Sequence, residues 1–553
     1  MKRLPYIILF ALLVLLPLML ILFITNYAPA VPTADSLGLV PLLQKMHSSD
    51  LTISDVWNFN ANEHKTFFPT GMQLLLAKFT SWNIRYELYG NIVIVMTALL
   101  FIYLILRKTI GQSHPDLIPY LLIIFALMIF SPAPWESWLL IGGITIFLSV
   151  TAILGALWAV VQGAGKWRGI LIAILFCFIA SFSFSNGLIS WIMIIGLLLF
   201  RKPIKWKHII LLCLAFAVTL ILYYNNYTAP ASHPLLSSGS KLWQLPLFFA
   251  AFIGAPIGMG KMIPSIAIGI TLILAFIIGT INIWRNDKKL FQQFLPWIAL
   301  ACCSIASGGA IAFARVEGFG LKQALASRYI TISMWLAAAV VIIAAIWLER
   351  HLNNIKTSRK YIYLAIVVGF LLVAGAVVIP YGKNVLNMLA DRRNNVIECW
   401  ENVGTAPDEW LRCLNDSHPE AVREPARILR KLGLIHIKFI PPFDSFTLAP
   451  ENNSAGTLEI VYKEQSRNTL IKPGDKIKII AKGRVDIPAK YVIIVSQNKV
   501  LARAELKENK RDWEKRFNPF TLPKGASEIR AYAVLDNEKD ILLLKNSFTI
   551  DIE

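Results

Sequence analysis

The sequence predicts a polytopic α-helical membrane protein with a C-terminal outward-facing α+β region that ends in a β-sandwich. Of the 553 residues, 56% are hydrophobic and only 16% are charged, whereas an average soluble chain carries about 25% charged residues. The mean hydropathy of +0.58 excludes an ordinary cytosolic enzyme. Long apolar runs fill the chain up to about residue 380, and shorter alternating runs follow them. The first part is therefore expected to lie in a lipid bilayer and the second part in water.

The first apolar run extends from Leu4 to about Ile24, behind the basic residues Lys2 and Arg3. It is too long for a signal peptide and lacks a convincing small-residue cleavage site, so we interpret it as a retained helix with a cytoplasmic N-terminus. A hydrophilic segment continues to about Tyr86. The later spans are expected at roughly 87–106, 116–130, 137–161, 169–184, 187–200, 209–224, 262–284, 291–312, 329–348 and 361–380.

The net charge of +20 is concentrated in the membrane part, where residues 1–383 contain 27 basic but only 10 acidic residues. Basic residues occupy alternate connections between spans, a pattern that marks these connections as cytoplasmic. Membrane orientation therefore explains the charge, and no nucleic-acid partner is expected. The basic connections contain Arg107/Lys108, Lys166/Arg168, Arg201 to Lys207, Arg285 to Lys289, and Arg350 to Lys360.

The segment from Leu245 to Gly260 is apolar but short, and it contains Gly254, Pro256, Gly258 and Gly260. Counting it as a span would place the basic residues Arg285 to Lys289 outside. A re-entrant segment avoids this conflict, provided that its broken backbone is buried in protein. The sequence then predicts eleven full spans and a C-terminus outside the cytoplasm.

Three domains are expected: a membrane domain at 1–383, a helical outer segment at 384–440 and a β-sandwich at 441–553. Short strand-like runs separated by turns support the last of these. Of six cysteines, only Cys399 and Cys413 lie in the hydrophilic part. We predict a disulfide between them, because an outward location exposes both thiols to an oxidising compartment.

Acidic residues in the connections predicted to face outward are the first candidates for chemistry, because carboxylates near a bilayer are costly unless paired or hydrated. Asp35 follows the first span closely, Glu63 precedes His64 and Lys65, and Glu136 lies between two tryptophans, the first of which is Trp135. The structural alternatives make Asp35 a helix cap, Glu63 to Lys65 a solvated turn, and the tryptophans an interfacial belt.

Basic residues at the outward end of a late span are the second group of candidates. Arg315 and Arg328 lie on either side of the connection before that span, and Tyr329 follows Arg328 directly. An arginine can bind a phosphate group through two parallel hydrogen bonds. The alternative is that these arginines extend to the interface only to reach water.

This arrangement resembles the C superfamily of integral-membrane glycosyltransferases, which use polyprenyl-phosphate-linked sugars. The motifs that carry the resemblance are closest to those of uncharacterised bacterial multi-pass proteins with an Asn-Glu-His-(Arg/Lys) motif in the first loop. The resemblance covers roughly residues 1–380. Its motifs are Asn62-Glu63-His64-Lys65 with Phe68-Pro69, Ser131-Pro-Ala-Pro-Trp135-Glu136, and Ala326-Ser-Arg328-Tyr329.

The resemblance implies that Asp35 is the catalytic base and that Arg328, with Arg315, binds the lipid phosphate. It places His64, Lys65 and the motifs around Glu136 and Tyr329 in the substrate site. Many relatives have two adjacent acids in the first loop, whereas Ser36 follows Asp35 here. Glu63 is therefore either a second carboxylate or the base itself. A divalent metal held by Asp35, Glu63 and His64 is a further alternative, and no other cofactor is implied.

The function implied by the resemblance is transfer of a sugar from a polyprenyl-phosphate donor, with inversion, on the outer face of a bacterial cytoplasmic membrane. The acceptor would be a cell-envelope glycan such as lipopolysaccharide, a lipid or a protein. A lipid-linked polysaccharide polymerase or ligase, a transporter or flippase, and a membrane anchor for a glycan- or protein-binding sandwich are the alternatives. Charges in the middle of spans are nearly absent, which disfavours a transporter.

Overall fold

The structure is a computed structural model in which the chain forms two compact units. The membrane unit comprises Met1–Ala30 and Lys45–Ala390, and the C-terminal unit comprises Val31–Gln44 and Asp391–Glu553. The structure describes residues 4–61, 64–140, 142–163, 166–227, 241–258, 260–352, 382, 384–404, 408–415, 418–435, 443–449, 455–462, 470–471, 479–517 and 525–552.

Seven helices in the described residues are long and apolar enough to cross a bilayer, and four shorter apolar helices accompany them. This confirms the helical multi-pass class. The span expected at 361–380 lies outside the described residues. The helices are α1 Leu4–Tyr27, α2 Val40–His47, α3 Ile53–Asn58, α4 Phe67–Thr80, α5 Ile84–Lys108, α6 Ile118–Ile129, α7 Trp135–Leu139, α8 Gly143–Gly163, α9 Trp167–Ser181, α10 Ile189–Phe200, α11 Trp206–Tyr224, α12 Leu245–Gly258, α13 Met262–Asn286, α14 Lys288–Phe319, α15 Ile330–Leu352, α16 at 384–401 and α17 Arg423–Lys431.

Three of the basic connections of the membrane unit lie at one end of the helix bundle. Gln292, in the first turns of α14, donates to the carbonyl of Phe200 and accepts a hydrogen bond from the amide of Lys202. Its neighbour Gln293 accepts a hydrogen bond from Ser113, in the connection between α5 and α6. The connections that follow α5, α10 and α13 therefore share one end of the bundle.

The segment expected to re-enter the membrane forms a continuous helix, α12, that packs tightly against α13. A Cβ atom placed on Gly254 would lie 1.9 Å from the carbonyl oxygen of Ser265, and one on Gly269 would lie 1.9 Å from that of Ala250. The expectation of a broken backbone between Leu245 and Gly258 was therefore wrong: the glycines allow close helix packing instead of interrupting the helix. With 14 residues, α12 is about 21 Å long and too short to cross a bilayer.

Two β-sheets form the main apolar core of the C-terminal unit. Buried residues of one sheet, such as Trp513, pack with Ile494 and Ala531 of the other, which is the arrangement of a sandwich. The strands there are β3 Thr447–Leu448, β4 Gly456–Tyr462, β5 Leu470–Ile471, β6 Ile479–Val485, β7 Tyr491–Ser496, β8 Lys499–Glu505, β9 Asp512–Phe517, β10 Gly525–Val534, β11 Asp540–Leu543 and β12 Phe548–Ile552. One sheet has the order β4-β6-β9; in the other, β10 pairs with β11, β12 and β7.

The segment Val31–Gln44 belongs to the C-terminal unit, although it precedes most of the membrane helices in the sequence. The indole of Trp400 donates to the carbonyl of Pro32 at 2.8 Å, and the amide of Ala34 donates to the carbonyl of Leu414. The predicted division at 383 and 440 treated this segment as part of the membrane domain and stays a prediction.

A disulfide bond joins Cys399 and Cys413, whose Cα atoms are 6.5 Å apart. The bond closes the loop that runs from the end of α16 to the residue preceding Leu414. The residues that bind Val31–Gln44 thus lie directly beside the two cysteines.

Candidate functional site

Glu136, on the first turn of the short helix α7, holds the connection before α15 in place. Its Oε2 accepts hydrogen bonds from the Ser327 hydroxyl at 3.0 Å and from the Arg328 amide at 3.1 Å. Its Oε1 accepts one from Nη1 of Arg328, also at 3.1 Å. Both carboxylate oxygens are therefore engaged by residues about 190 positions further along the chain.

The guanidinium group of Arg328 is oriented but remains accessible. Its side chain is 37% exposed, while that of Glu136 is 16% exposed. The guanidinium carbon lies 5.2 Å from the ring centroid of Tyr329, and the buried tyrosine ring packs against Phe252 of α12 at 5.8 Å. Ion pairing and ring contact restrict the side chain, so that an anion approaching Arg328 meets a cation already in position.

Lys65 is a buried cation of the membrane unit. It lies on a two-stranded hairpin formed by β1 (Asn60–Ala61) and β2 (His64–Lys65). Its side chain is only 1% exposed, its ammonium group donates to the carbonyl of Asn225, and its amide donates to the Tyr223 hydroxyl at 3.4 Å. Burial lowers the pKa of the Lys65 ammonium group. In this arrangement the ammonium group of Lys65 meets a backbone carbonyl, and its contact with substrate stays a prediction.

His64, on the same strand, packs its imidazole against Phe184 with ring centroids 4.2 Å apart. Glu63 lies outside the described residues. Within the residues that the structure describes, no group of three His, Cys, Asp or Glu side chains could hold a metal ion. The metal alternative with Asp35, Glu63 and His64 includes Glu63 and therefore stays a prediction.

A small cavity lies among α8, α14, α15 and the connection that follows α9. The Nδ2 atom of Asn186, in that connection, is buried and has no hydrogen-bond partner in the described part of the chain. Phe184, the partner of His64, and Ile332, one turn beyond Arg328, both line the cavity. Other lining residues are Ser149, Cys303, Ser307 and Trp335.

Asp35 is exposed in a 3₁₀ turn of the C-terminal unit, at Ala34–Leu39. The capping alternative does not describe it: Thr33 precedes the turn, its amide donates to the Ser36 hydroxyl at 2.7 Å, and that hydroxyl donates back to the Thr33 carbonyl at 2.6 Å. Ala34 has a φ of 49°, which is strained for a residue with a side chain. Such strain is common beside functional residues and leaves the Asp35 carboxylate available.

Two further cations lie at the C-terminal end of α14, at the same end of the membrane unit as Arg328. Arg315 belongs to α14 itself, and Lys241 contacts it from the segment before α12. The guanidinium carbon of Arg315 lies 5.3 Å from the ring centroid of Phe319, one turn later. The Lys241 ammonium group donates to the carbonyl of Glu317 at 2.9 Å. Both contacts keep basic side chains at the connections that surround Glu136 and Arg328.

Three residues of this region were not singled out from the sequence: Ser327, Asn186 and Lys241. Ser327 could have been identified from the sequence, because it directly precedes Arg328. Asn186 stands out as an amide within an aromatic, apolar connection. Lys241 gave no local signal, because its contact with Glu317 depends on the packing of α12 against α14.

No protein-family model matches the chain, and no curated protein matches it. Among solved structures, it is similar to the archaeal oligosaccharyltransferase AglB from Archaeoglobus fulgidus, which was determined in complex with an inhibitory peptide and a dolichol-phosphate. The sequences are 12% identical, the TM-score is 0.42, and the similarity covers 80% of this chain. The chain spans 62% of the length of that protein.

Proposed function

We propose that the protein transfers a sugar from a polyprenyl-phosphate-linked donor to an envelope glycan, lipid or protein acceptor. The observation that carries the proposal is the arrangement of Arg328: a partly exposed guanidinium at the end of a spanning helix, paired with Glu136, whose carboxylate also accepts a hydrogen bond from Ser327. A phosphate joined to a membrane lipid is confined to this depth, where an oriented cation meets it without further side-chain ordering.

In this reaction the acceptor hydroxyl attacks the anomeric carbon, the bond from that carbon to the phosphate oxygen breaks, and polyprenyl phosphate leaves. The charge that develops on the departing oxygen is stabilised by Arg328. Because the leaving group is already a good one, it needs no full proton transfer. A single displacement inverts the anomeric configuration.

The proposal assigns the base to Asp35, whose carboxylate would accept the proton of the acceptor hydroxyl as the new bond forms. Its exposure and the strain at Ala34 support this role. Glu63 is the alternative base. The same proposal places the protein in a bacterial cytoplasmic membrane, with the C-terminal unit on the outer side.

The test is binding of a polyprenyl phosphate to the purified full-length protein and to an Arg328→Ala variant. We expect the variant to bind about 5–30-fold more weakly, corresponding to about 1–2 kcal/mol. This loss of binding free energy is smaller than the loss on breaking a fully buried charge pair, because Arg328 is partly exposed and screened by solvent. Lys322→Ala, an exposed cation in the same connection, is the matched control and should bind as the wild type does.

A Glu136→Gln variant tests how much the orientation of the Arg328 guanidinium, as distinct from its charge, contributes to phosphate binding. It retains Arg328 but removes the carboxylate that positions the guanidinium, so binding should weaken less than in Arg328→Ala. Thermal unfolding of each variant checks that the fold is intact. Equal affinity of wild type and a folded Arg328→Ala variant would contradict the proposed phosphate site.

A further inference from the structure

Two helices of the membrane unit begin side by side at the end that carries the basic connections. Trp167 is the first residue of α9, and its ring centroid lies 4.4 Å from that of His208, in the first turn of α11. The residues preceding the two helices, Lys166 and Lys205, provide no side-chain cap. The first amides of a helix point outward and carry partial positive charge, so paired helix starts favour an anion.

The side chains around these starts are cationic and exposed. Lys166 and Arg168 flank Trp167, while Lys205 and Lys207 flank Trp206, and all four are exposed. The sequence contains no acidic residue between Glu136 and Asp287. We call this cluster the α9–α11 basic site.

His208 provides an independent indication that something binds here. Its side chain is only 5% exposed, and its Nδ1 atom has no hydrogen-bond partner in the residues that the structure describes. Buried ring nitrogens are nearly always hydrogen-bonded. Because the ring lies against Trp167 in the first turn of α11, a group bound between the helix starts would be within its reach.

The surroundings of the α9–α11 basic site are those of a membrane boundary. The tryptophans at the two helix starts are 49% and 61% exposed, as is typical of side chains at headgroup level. Beyond them, both helices expose large apolar side chains on successive turns. These are Leu171, Leu175, Ile210 and Leu214.

We propose that the α9–α11 basic site binds the phosphate group of an anionic phospholipid whose acyl chains lie along α9 and α11. The helix amides and the lysines hold the phosphate, and the protonated Nδ1 of His208 donates to one of its oxygens. A lipid fits better than a soluble phosphate because the apolar ridges continue directly from the cationic site. The inference is independent of the proposed transfer reaction.

The experiment measures phospholipid retained by the full-length protein in native mass spectrometry, with phosphatidylglycerol or phosphatidylcholine added. We expect phosphatidylglycerol to be retained preferentially, and Lys166→Ala/Lys205→Ala to lower its affinity about tenfold or more. The control is Lys288→Ala/Lys289→Ala, which removes the same charge from another helix start at this end and should retain the lipid.

A His208→Phe variant keeps a ring against Trp167 but removes the nitrogen. It should weaken phosphatidylglycerol binding several-fold without changing the unfolding temperature. The proposal is overturned if both lysine pairs lower binding equally, if phosphatidylcholine is retained as well as phosphatidylglycerol, or if His208→Phe binds like the wild type. Displacement of the lipid by inorganic phosphate alone would assign the site to a soluble anion and would equally overturn it.

Discussion

At the scale of single residues, Glu136 and Arg328 form the best-defined pair of the candidate site, because the carboxylate accepts hydrogen bonds from both the amide and the guanidinium group of the arginine. Glu136 and Arg328 were both expected at the predicted outward end, but their mutual contact joins residues 192 positions apart, which no local pattern encodes. The burial of Lys65 was harder to predict from the sequence. A Glu-His-Lys run resembles a solvated turn, and only the packing of Tyr223 and Asn225 against it reveals a buried cation.

For Asp35 we expect that Asp35→Asn abolishes sugar transfer while leaving membrane insertion intact, because an amide cannot accept the proton of the acceptor hydroxyl. Transfer should be assayed with a labelled polyprenyl-phosphate sugar. Asp50→Asn, which alters another exposed acid before the second span, should retain full turnover. Wild-type turnover by Asp35→Asn would remove it as the base and leave Glu63 as the candidate.

For Lys65 the prediction concerns pH. Burial holds its folded-state pKa below the ordinary value of 10.5, so the unfolded chain binds the proton more tightly. The resulting penalty to folding is fully present below the folded-state pKa and disappears as the pH rises toward 10.5. In thermal unfolding between pH 7 and about 10, the wild type should therefore gain stability relative to Lys65→Met as the pH rises. Parallel curves for the two proteins would exclude this effect.

At the scale of helices and strands, hydropathy located most membrane helices, and alternation located most strands of the C-terminal sandwich but not β9. The failure at α12 has a physical reason. Glycine and proline usually predict a break, but Gly254 and Gly258 face α13 closely, and that packing stabilises a helix that local preference disfavours. Pro256 lies in the last turn of α12, where its missing N–H group removes one hydrogen bond of the helix.

Replacement of Gly254 by alanine should destabilise the membrane unit by about 1–3 kcal/mol, because the added methyl group would overlap the backbone of α13. The matched control is Gly309→Ala on α14, where a new Cβ meets nothing within 4 Å. That variant should be neutral or slightly more stable. Thermal unfolding of both in one detergent gives the comparison, and equal unfolding temperatures would refute the close packing.

At the scale of the whole molecule, the prediction concerns the disulfide bond. Closing the loop between Cys399 and Cys413, with a sequence separation of 14 residues, should stabilise the C-terminal unit by about 3 kcal/mol in the chain-entropy model. A Cys399→Ser/Cys413→Ser variant should unfold at lower denaturant concentration, whereas Cys213→Ser, at an exposed free cysteine, should not.

The same cysteines test on which side of the membrane the C-terminal unit lies. The protein is alkylated before cell lysis and then measured by mass spectrometry. Two freely alkylated thiols would place the C-terminal unit in the cytoplasm.

The discontinuity of the C-terminal unit has a consequence for biosynthesis. Pro32 and Trp400, which share a hydrogen bond, are 368 residues apart. At about 5–20 residues per second, translation separates their appearance by roughly 20–70 seconds. Trp400 and Leu414 can bind the segment Val31–Gln44 only after the intervening membrane helices have been synthesised. Closure of the unit therefore follows synthesis of those helices, so that the exposed turn carrying Asp35 acquires its final support only late in translation.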